Sequence, residues 1–434
     1  MMHTIDLRGR DHSTAELLAL VPRAAVDVAV ASEAAAALIA AVRSGGAEAL
    51  RAQADRFDGG RPPSIRVPAE EIDDAVAALD PAVRSALEET IRRVRLASAA
   101  QVPPAVVTEV APGARIRQRW QPIARVGLYV PGGKAVYPSS VVMNVVPAQV
   151  AGVTSIALVS PPQSAHGSRV HPVVLAAAGL LGIDEVYAMG GAGAIGALAY
   201  GVPEIGLEPV QLVTGPGNVY VAAAKRLIRG QAGIDSEAGP TDILVIADAD
   251  ADARLVAADH ISQPEHDELA AAVLVTDAPE FAAAVAAEVE RQVAGTTHRE
   301  RVTAALTGPQ SAAVLVDDLV RAAAFSNAFG PEHLEIQTAD PEAVLARIEN
   351  AGAIFLGPYS PVSLGDYAAG SNHVLPTGGQ ARFAAGLNAA TFLRSQQVVE
   401  YTRDGLSGVA EGIAALSATE VLPAHGDAVT ARFA

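Results

Sequence analysis

Short apolar runs alternate with stretches of helical apolar spacing through the middle of the chain. Four runs predict strands: ARVGLYV, SIALVS, DEVYAM and QLVT. The stretches after them predict helices: PSSVVMNVVPAQVAG, RVHPVVLAAAGLLG, GAIGALAYG and GNVYVAAAKRLIRG. The alternation starts again at DILVIAD and continues through AAVLVT, AAVLV, HLEI and AGAIFLG. Because such alternation is typical of a parallel sheet with helices on its faces, we expect two α/β blocks, at about 125–235 and 240–358.

The two ends of the chain have different patterns. AELLAL, SEAAAALIAAV and PAVRSALEETIRRVRLASAAQ predict helices, the last with Pro81 in its first turn, and the polar stretches VVTEV and RIRQRWQPI favour strands. An irregular Gly/Ser/Asn stretch runs from Gly357 to about Asn388, and a helical tail is expected after it. The predicted fold class is α/β, with two Rossmann-like, incompletely doubly wound domains, a helical N-terminal region and a helical C-terminal tail.

Composition excludes several classes of function. The 434 residues carry a net charge of −17 and no compact basic cluster, so a nucleic-acid partner is not expected. There is no cysteine, which excludes disulfides, thiolate metal sites and a cysteine nucleophile. The polar start MMHTIDLRGRDH is unlike a secretory signal, and the longest apolar run, VYAMGGAGAIGALAYGV, is broken by glycines. We therefore expect a soluble cytoplasmic protein with no membrane segment.

Three glycine-rich loops follow predicted strands of the first block. GAGAIG (191–196) has the G-x-G-x-x-G spacing of a dinucleotide site, but in a chain with 38 glycines a tight strand–helix turn is favoured over that function. TGPGNVY (214–220) begins a helix, where Asn218 is either a cap or a ligand contact. GLYVPGGKAVYPS (127–139) is the third loop. Since open α/β sheets bind ligands at strand ends, the three together favour a nucleotide-type ligand.

Histidines and carboxylates form the other candidate chemistry. GPEHLEI pairs Glu332 with His333, the usual residue types for moving protons near neutral pH, although such a dipeptide is common. SQPEHD (262–267) is either a helix end or half of a metal site. The loop SLGDYAAGSNHVLPT holds Asp366 and His373, and the tail segment ATEVLPAHGDAV holds Glu420 and His425.

These motifs, in this order, resemble the L-histidinol dehydrogenase family over essentially the whole chain. The resemblance is carried by GLYVPGGKAVYPSSVVMNVVPAQVAGV, GPGNVYVAAAKR, AGPTDILVIAD, SQPEH, GPEHLEI and GDYAAGSNHVLPT. It implies an enzyme of histidine biosynthesis that oxidises L-histidinol to L-histidine through L-histidinal, reducing two NAD per substrate and using one Zn²⁺ per subunit. It also implies a homodimer in which the C-terminal tail completes the partner's site.

The resemblance also assigns roles to residues and segments. Glu332 and His333 are expected to be the catalytic acid/base pair. The expected zinc ligands are Gln263, His266, Asp366 and His425. The substrate is expected to contact Thr241, Gln263, His266, His333, Asp366, His373, Glu420 and His425, and NAD is expected to contact Tyr129, Gly193 and Asn218. The expected segments are a helical region (1–123) partly packed on the substrate domain, an NAD domain (124–237), a zinc/substrate domain (238–380) and the exchanged tail (381–434).

Three residues depart from the family pattern, and other functions remain open. Gly193 stands where glutamine is usual, Thr241 where serine is common and Pro264 where alanine is common. Pro264 is expected to kink or end the helix that leads to the metal ligands. The alternatives are a paralogous zinc/NAD dehydrogenase of another small alcohol such as a sulfonated diol, a zinc hydrolase with Glu332 as base, and a non-catalytic binding protein. Because no cysteine is present, water is the nucleophile expected for aldehyde oxidation.

Overall fold

Two parallel sheets form the frame of the protein in the computed structural model, which describes residues 2–24, 28–132, 135–237 and 239–434. The strands are β1 (His3–Asp6), β2 (Val106–Ala111), β3 (Ala114–Pro122), β4 (Arg125–Tyr129), β5 (Ser155–Ser160), β6 (Val186–Ala188), β7 (Leu212–Thr214), β8 (Gly233–Ile234), β9 (Asp242–Ala247), β10 (Ala271–Thr276), β11 (Ala312–Leu315), β12 (His333–Gln337), β13 (Ala353–Leu356) and β14 (Leu393–Tyr401).

Helices cover both faces of these sheets. They are α1 (Thr14–Leu20), α2 (Val28–Phe57), α3 (Ala69–Ala77), α4 (Pro81–Ala100), α5 (Pro138–Val150), α6 (Pro172–Leu180), α7 (Gly191–Tyr200), α8 (Val219–Leu227), α9 (Ala253–Ser262), α10 (Pro279–Val293), α11 (Arg299–Thr307), α12 (Leu319–Phe329), α13 (Pro341–Leu345), α14 (Val362–Tyr367), α15 (Arg403–Thr419) and α16 (Pro423–Thr430). In the described ranges, no helix is both long enough and apolar enough to cross a membrane.

The first sheet has the strand order β6-β5-β4-β7-β8, and all of its pairs are parallel. Its strands are almost wholly apolar because separate clusters of buried side chains lie on its two faces. The chain leaves β4 towards β5 on one side and later returns to β7 on the other. This reversal is the switch point where open α/β sheets bind ligands, at the carboxyl ends of the strands.

The second sheet has the order β1-β11-β10-β9-β12-β13 and is also parallel throughout. Its reversal lies between β9 and β12, which pair directly, and two further apolar clusters cover its faces. The predicted pair of Rossmann-like α/β units is therefore confirmed. Ala238, Gly133 and Lys134, which belong to a domain boundary and a loop given above, lie outside the described residues.

Two strands correct the predictions for the chain ends. His3–Asp6 form β1 at the edge of the second sheet, although the N-terminal region was expected to be helical. Residues 393–401 form β14, which pairs antiparallel with β3 beside β2, although the tail was expected to be helical. Both strands are rich in polar residues and are largely exposed, so they lack the apolar runs by which the other strands were recognised.

The predicted helix signals before α4 and after α9 are confirmed. Asp80 accepts hydrogen bonds from the N–H groups of Ala82 and Val83, and Pro81 is the first residue of α4. The helix α9 ends at Ser262, and Gln263–Glu265 continue as one 3₁₀ turn that contains Pro264. This change of helix type places Gln263 and His266 at the end of α9.

Candidate functional site

Glu332 and His333 lie at the amino end of β12, next to β9 in the centre of the second sheet. Gly330 ends α12 in a left-handed conformation (φ 59°) and the chain turns directly into the strand. Both side chains are buried, with Glu332 6% and His333 4% exposed. A buried carboxyl and a buried imidazole need polar partners, so the hydrogen bonds around them determine which of their atoms can still donate or accept a proton.

Asp242 and Glu332 hold each other through reciprocal hydrogen bonds across β9 and β12. The Asp242 N–H donates to Glu332 Oε2 at 3.1 Å, and the Glu332 N–H donates to Asp242 Oδ1 at 2.7 Å. The Thr241 hydroxyl also donates to Glu332 Oε2, at 2.5 Å, and accepts a hydrogen bond from Gln263 Nε2. One hydroxyl therefore connects Gln263 to the Glu332 carboxyl.

Burial raises the pKa of Glu332 and of Asp242 above the usual range for carboxyl groups. For Asp242, the nearby Glu332 charge acts in the same direction as burial. For Glu332, the charge of Asp366 adds to burial, while the hydrogen bonds from Thr241 and Asp242 lower the pKa. Glu332 can therefore exchange a proton nearer to neutral pH than an exposed glutamate can.

His333 is held in one tautomer by the backbone of β9. Its Nδ1 lies 3.0 Å from the carbonyl oxygen of Asp242, and because a carbonyl can only accept, Nδ1 must donate. Its Nε2 is buried and has no hydrogen-bond partner among the described residues. In the neutral ring this Nε2 carries a free lone pair, which is the arrangement that a general base needs.

His266, Asp366 and His373 lie at the same end of the second sheet. The His266 ring stacks on Tyr137 with 6.2 Å between ring centroids. Burial lowers the pKa of both His266 and His373, and the charge of Asp366 opposes this in each case. Both imidazoles are therefore favoured in the neutral form, which is the form that binds metals.

The position of His373 is fixed from two sides. Its Nδ1 donates to the Asp366 carbonyl oxygen at 3.0 Å, and its Nε2 lies 3.0 Å from the Ser140 hydroxyl at the start of α5. This contact joins the loop after α14 to a helix of the first sheet. His373 therefore lies where the two α/β units meet.

The two tail residues lie apart from this cluster in the single chain. Glu420 and His425 are exposed, and within the described ranges no hydrogen bond, ion pair or ring contact joins either side chain to the second sheet. Across the same ranges, no three His, Cys, Asp or Glu side chains converge on one metal position. One chain therefore brings together Gln263, His266 and Asp366 without His425.

The three expected NAD contacts lie at the carboxyl edge of the first sheet. The Tyr129 hydroxyl accepts a hydrogen bond from the Gly191 N–H at 3.2 Å. Asn218 caps α8 by accepting from the N–H groups of Tyr220 and Val221 at 3.0 and 3.2 Å. Gly215 has φ +115°, and a Cβ there would lie 2.0 Å from the Tyr129 carbonyl oxygen. The loops after β6 and β7 therefore both contact the end of β4 at Tyr129.

The glycines of GAGAIG serve close packing between helices. A Cβ on Gly193 would lie 2.0 Å from the side-chain oxygen of Gln53, and a Cβ on Gly196 would lie 3.2 Å from Ile39. Gln53 and Ile39 both belong to α2, which packs against α7. A tight strand–helix turn, favoured from the sequence, is therefore what the structure contains. Sequence reasoning missed Asp242 and Ser140. Asp242 directly follows Thr241 and could have been considered with it, whereas nothing in the sequence singles out Ser140.

Known proteins resemble this chain over essentially its whole length. Residues 21–433 match the family model described as "Histidinol dehydrogenase". The proteins named "Histidinol dehydrogenase" from Leifsonia xyli and Nocardia farcinica are 70% and 57% identical, covering 100% and 99% of this chain and 99% and 97% of theirs. The crystal structure of histidinol dehydrogenase from Elizabethkingia anophelis has a TM-score of 0.92 at 32% identity and covers 100% of this chain and 98% of its own. The chain belongs to the histidinol dehydrogenase family of oxidoreductases.

Proposed function

We propose that the chain catalyses the four-electron oxidation of L-histidinol to L-histidine through L-histidinal, with NAD and zinc as cofactors. The proposal rests on family membership and on one geometric observation. His333 donates through Nδ1 to a backbone carbonyl and keeps a buried Nε2 that has no hydrogen-bond partner among the described residues. In the full reaction, one water and two NAD are consumed, and two NADH, three protons and the carboxylate product are formed.

His333 is the proposed base of both oxidations. Its Nε2 removes the hydroxyl proton of the alcohol, and later that of the hydrated aldehyde, as hydride leaves the same carbon. The Nδ1 hydrogen bond to Asp242 keeps the ring orientation constant in both steps. Proton transfer by a positioned side chain contributes about 10²- to 10⁴-fold, so His333→Asn is expected to lower both oxidation rates by that range.

Glu332 is the proposed group that activates water between the two oxidations. Its Oε2 is occupied by Thr241 and Asp242, whereas Oε1 accepts no hydrogen bond from the described residues. Because burial raises the pKa of this carboxyl, its ionised form is a stronger base than an exposed glutamate. Oε1 is therefore placed to take a proton from water as the water adds to the aldehyde.

The side chains fit the donor set of a catalytic zinc site. Gln263 uses Nε2 as a donor to Thr241, which leaves Oε1 as the ligand atom, and His266 is favoured in its neutral form. Asp366 supplies the carboxylate, and His425 of a second copy supplies the fourth ligand. Zinc in such a site supplies coordination of nitrogen and oxygen donors, which orients the substrate without transferring electrons. Thr241, His373 and Glu420 complete the proposed substrate contacts.

Exchange of the tail between two copies explains why Glu420 and His425 stand apart. The tail exposes large apolar side chains: Val399 is 65%, Leu416 66% and Val421 82% exposed. Large apolar side chains left exposed along one segment of a chain are typical of a protein–protein interface. We propose a homodimer in which residues 381–434 of each chain complete the site of the other.

The first sheet is the proposed NAD-binding unit. The loops that carry Tyr129, Gly193 and Asn218 meet at its switch point, where a backbone edge rich in glycine fits a dinucleotide. NAD supplies the hydride acceptor for both oxidations. On this basis we propose the division 124–237 for NAD and 238–380 for zinc and substrate, with 1–123 packed partly on the latter through β1 and α1.

The roles of the catalytic pair are tested by separating the two half-reactions. Glu332→Gln is expected to oxidise added L-histidinol to the aldehyde stage and then stall, because only the hydration step needs its carboxylate. His333→Asn is expected to impair oxidation of L-histidinol and of L-histidinal alike. Single-turnover NADH formation from each substrate measures both. Equal loss of both half-reactions in Glu332→Gln would contradict the assignment of water activation to Glu332.

A further inference from the structure

A pair of buried carboxyl groups lies behind the proposed metal site. Glu335 of β12 is 1% exposed and Asp259 of α9 is 8% exposed. The two carboxyl groups lie within hydrogen-bond reach of each other, and because two carboxylates cannot donate, this bond requires one of them to be protonated. Burial raises the pKa of both groups, and the Asp259 charge raises that of Glu335 further. Each of the two groups therefore holds a proton to a higher pH than an exposed carboxyl does.

Glu335 also holds the start of α14. Its Oε1 accepts a hydrogen bond from the Val362 N–H at 2.9 Å, and its Oε2 accepts one from Gln337 Nε2 at 3.0 Å. Val362 is the first residue of α14, and Asp366 lies in the last turn of the same helix. A helix of six residues has little stability of its own, so tertiary contacts must set its position.

Asp259 connects the same pair to the segment that carries Gln263 and His266. It lies in the last turn of α9, and its carbonyl oxygen accepts the hydrogen bond of the Gln263 N–H. The carboxyl pair therefore joins three segments: the end of α9, the strand β12 that begins at His333, and the helix α14.

The packing around α14 leaves it little freedom to shift. A Cβ on Gly365 would lie 2.6 Å from the Phe355 ring, so α14 lies directly against β13. At its other end, the Asp366 carbonyl oxygen accepts from His373 Nδ1. The Glu335 contact is the hydrogen bond that ties the amino end of the helix to the sheet.

We propose that Glu335 is a positioning residue whose hydrogen bonds to Asp259 and to the first N–H of α14 set the place of Asp366 relative to Gln263 and His266. This inference rests on the metal site proposed above. Glu335 does not touch the metal or the substrate in this account, and it acts through α14.

Metal affinity of the folded, full-length protein tests the proposal. Zinc affinity of the apoprotein is measured by competition with a chromophoric chelator, and site geometry by the visible spectrum of bound Co²⁺. Glu335→Leu is expected to lower zinc affinity about tenfold or more and to change the Co²⁺ spectrum, as for other groups that orient metal ligands. Glu335→Gln is expected to stay within about threefold of the wild type, because its amide keeps one acceptor for Val362 and one donor for Asp259. The hydrogen bond from Gln337, which the amide loses, lies within β12 and does not involve α14.

Ser311→Ala is the matched control for a general loss of stability. Ser311 is fully buried on the same sheet, where its hydroxyl accepts from the Ala272 N–H at 3.0 Å and donates to the Ala305 carbonyl at 2.9 Å. Its removal is expected to lower thermal stability without changing zinc affinity or the Co²⁺ spectrum. An affinity loss as large in Ser311→Ala as in Glu335→Leu would refute a positioning role.

Two further results separate the possible failures. If the wild type binds zinc, Asp366→Asn loses it and Glu335→Leu binds it normally, the positioning role alone is refuted. If the wild type binds no zinc, the proposed metal site fails and this inference fails with it. If Glu335→Leu does not fold, Asp259→Ala replaces it, and unchanged zinc affinity in that variant would overturn the proposal.

Discussion

Thr241 offers a sharp test of the site because a single hydroxyl serves two proposed functional groups. It donates to Glu332 Oε2 at 2.5 Å and accepts from Gln263 Nε2. Thr241→Val keeps the shape of the side chain and removes both hydrogen bonds. Leaving a buried polar group without its partner costs about 1–3 kcal/mol. Two losses of about 1.5 kcal/mol each give about 3 kcal/mol, which corresponds to a fall in kcat/KM of about 150-fold.

Thr241→Ser is the matched control, since it keeps the hydroxyl and removes only a methyl group. We expect its kcat/KM for L-histidinol to remain within about threefold of the wild type, because both hydrogen bonds persist. Steady-state NADH formation and zinc affinity are measured for both variants. If Thr241→Val and Thr241→Ser differ by less than a factor of about three, the hydroxyl does not connect Gln263 to Glu332 in the working enzyme.

Three other predictions concern stability and assembly. Burial raises the pKa of Asp58 to about 7. The pKa of Asp58 in the folded protein therefore lies above its pKa in the unfolded chain. As pH rises from 4 to 7, the wild type should lose up to about 4 kcal/mol of unfolding free energy relative to Asp58→Asn. Chemical denaturation at each pH measures this difference. Lys225 and Asp235 form a buried ion pair. Lys225→Met leaves the Asp235 charge buried without a partner and should destabilise the protein by about 3–5 kcal/mol. Adding Asp235→Asn removes that charge and should restore part of the lost stability in thermal melts. Mixing refolded His425→Asn with His333→Asn should restore about a quarter of wild-type activity if tails are exchanged, whereas no recovery would contradict exchange.

The alternating part of the fold could be predicted from the sequence because its strands are buried on both faces. Runs such as SIALVS and DILVIAD are continuously apolar, and their lengths and flanking turns mark them as strands. Pro81 and Pro264 marked a helix start and a helix end for local steric reasons that need no tertiary information. These features depend on neighbours in the chain.

The missed features depend on partners distant in sequence. β14 pairs with β3, whose partner residues lie 271 to 287 positions earlier, and its polar residues carry no apolar signal of a strand. Asp242 and Glu335 are ordinary carboxylates in the sequence, and only pairing of β9 with β12 and packing of α9 and α14 give them partners. The proposed roles of Glu332 and His333 come from family resemblance, whereas the tautomer of His333 required the position of the Asp242 carbonyl.

The yield of NADH per L-histidinol consumed, measured with and without prior removal of zinc, is the decisive measurement for the proposed reaction and its metal. We expect two NADH per substrate, loss of this activity when a chelator removes zinc, and its return when zinc is restored. One NADH per substrate, or full activity in the protein shown to be free of metal, would contradict the proposal.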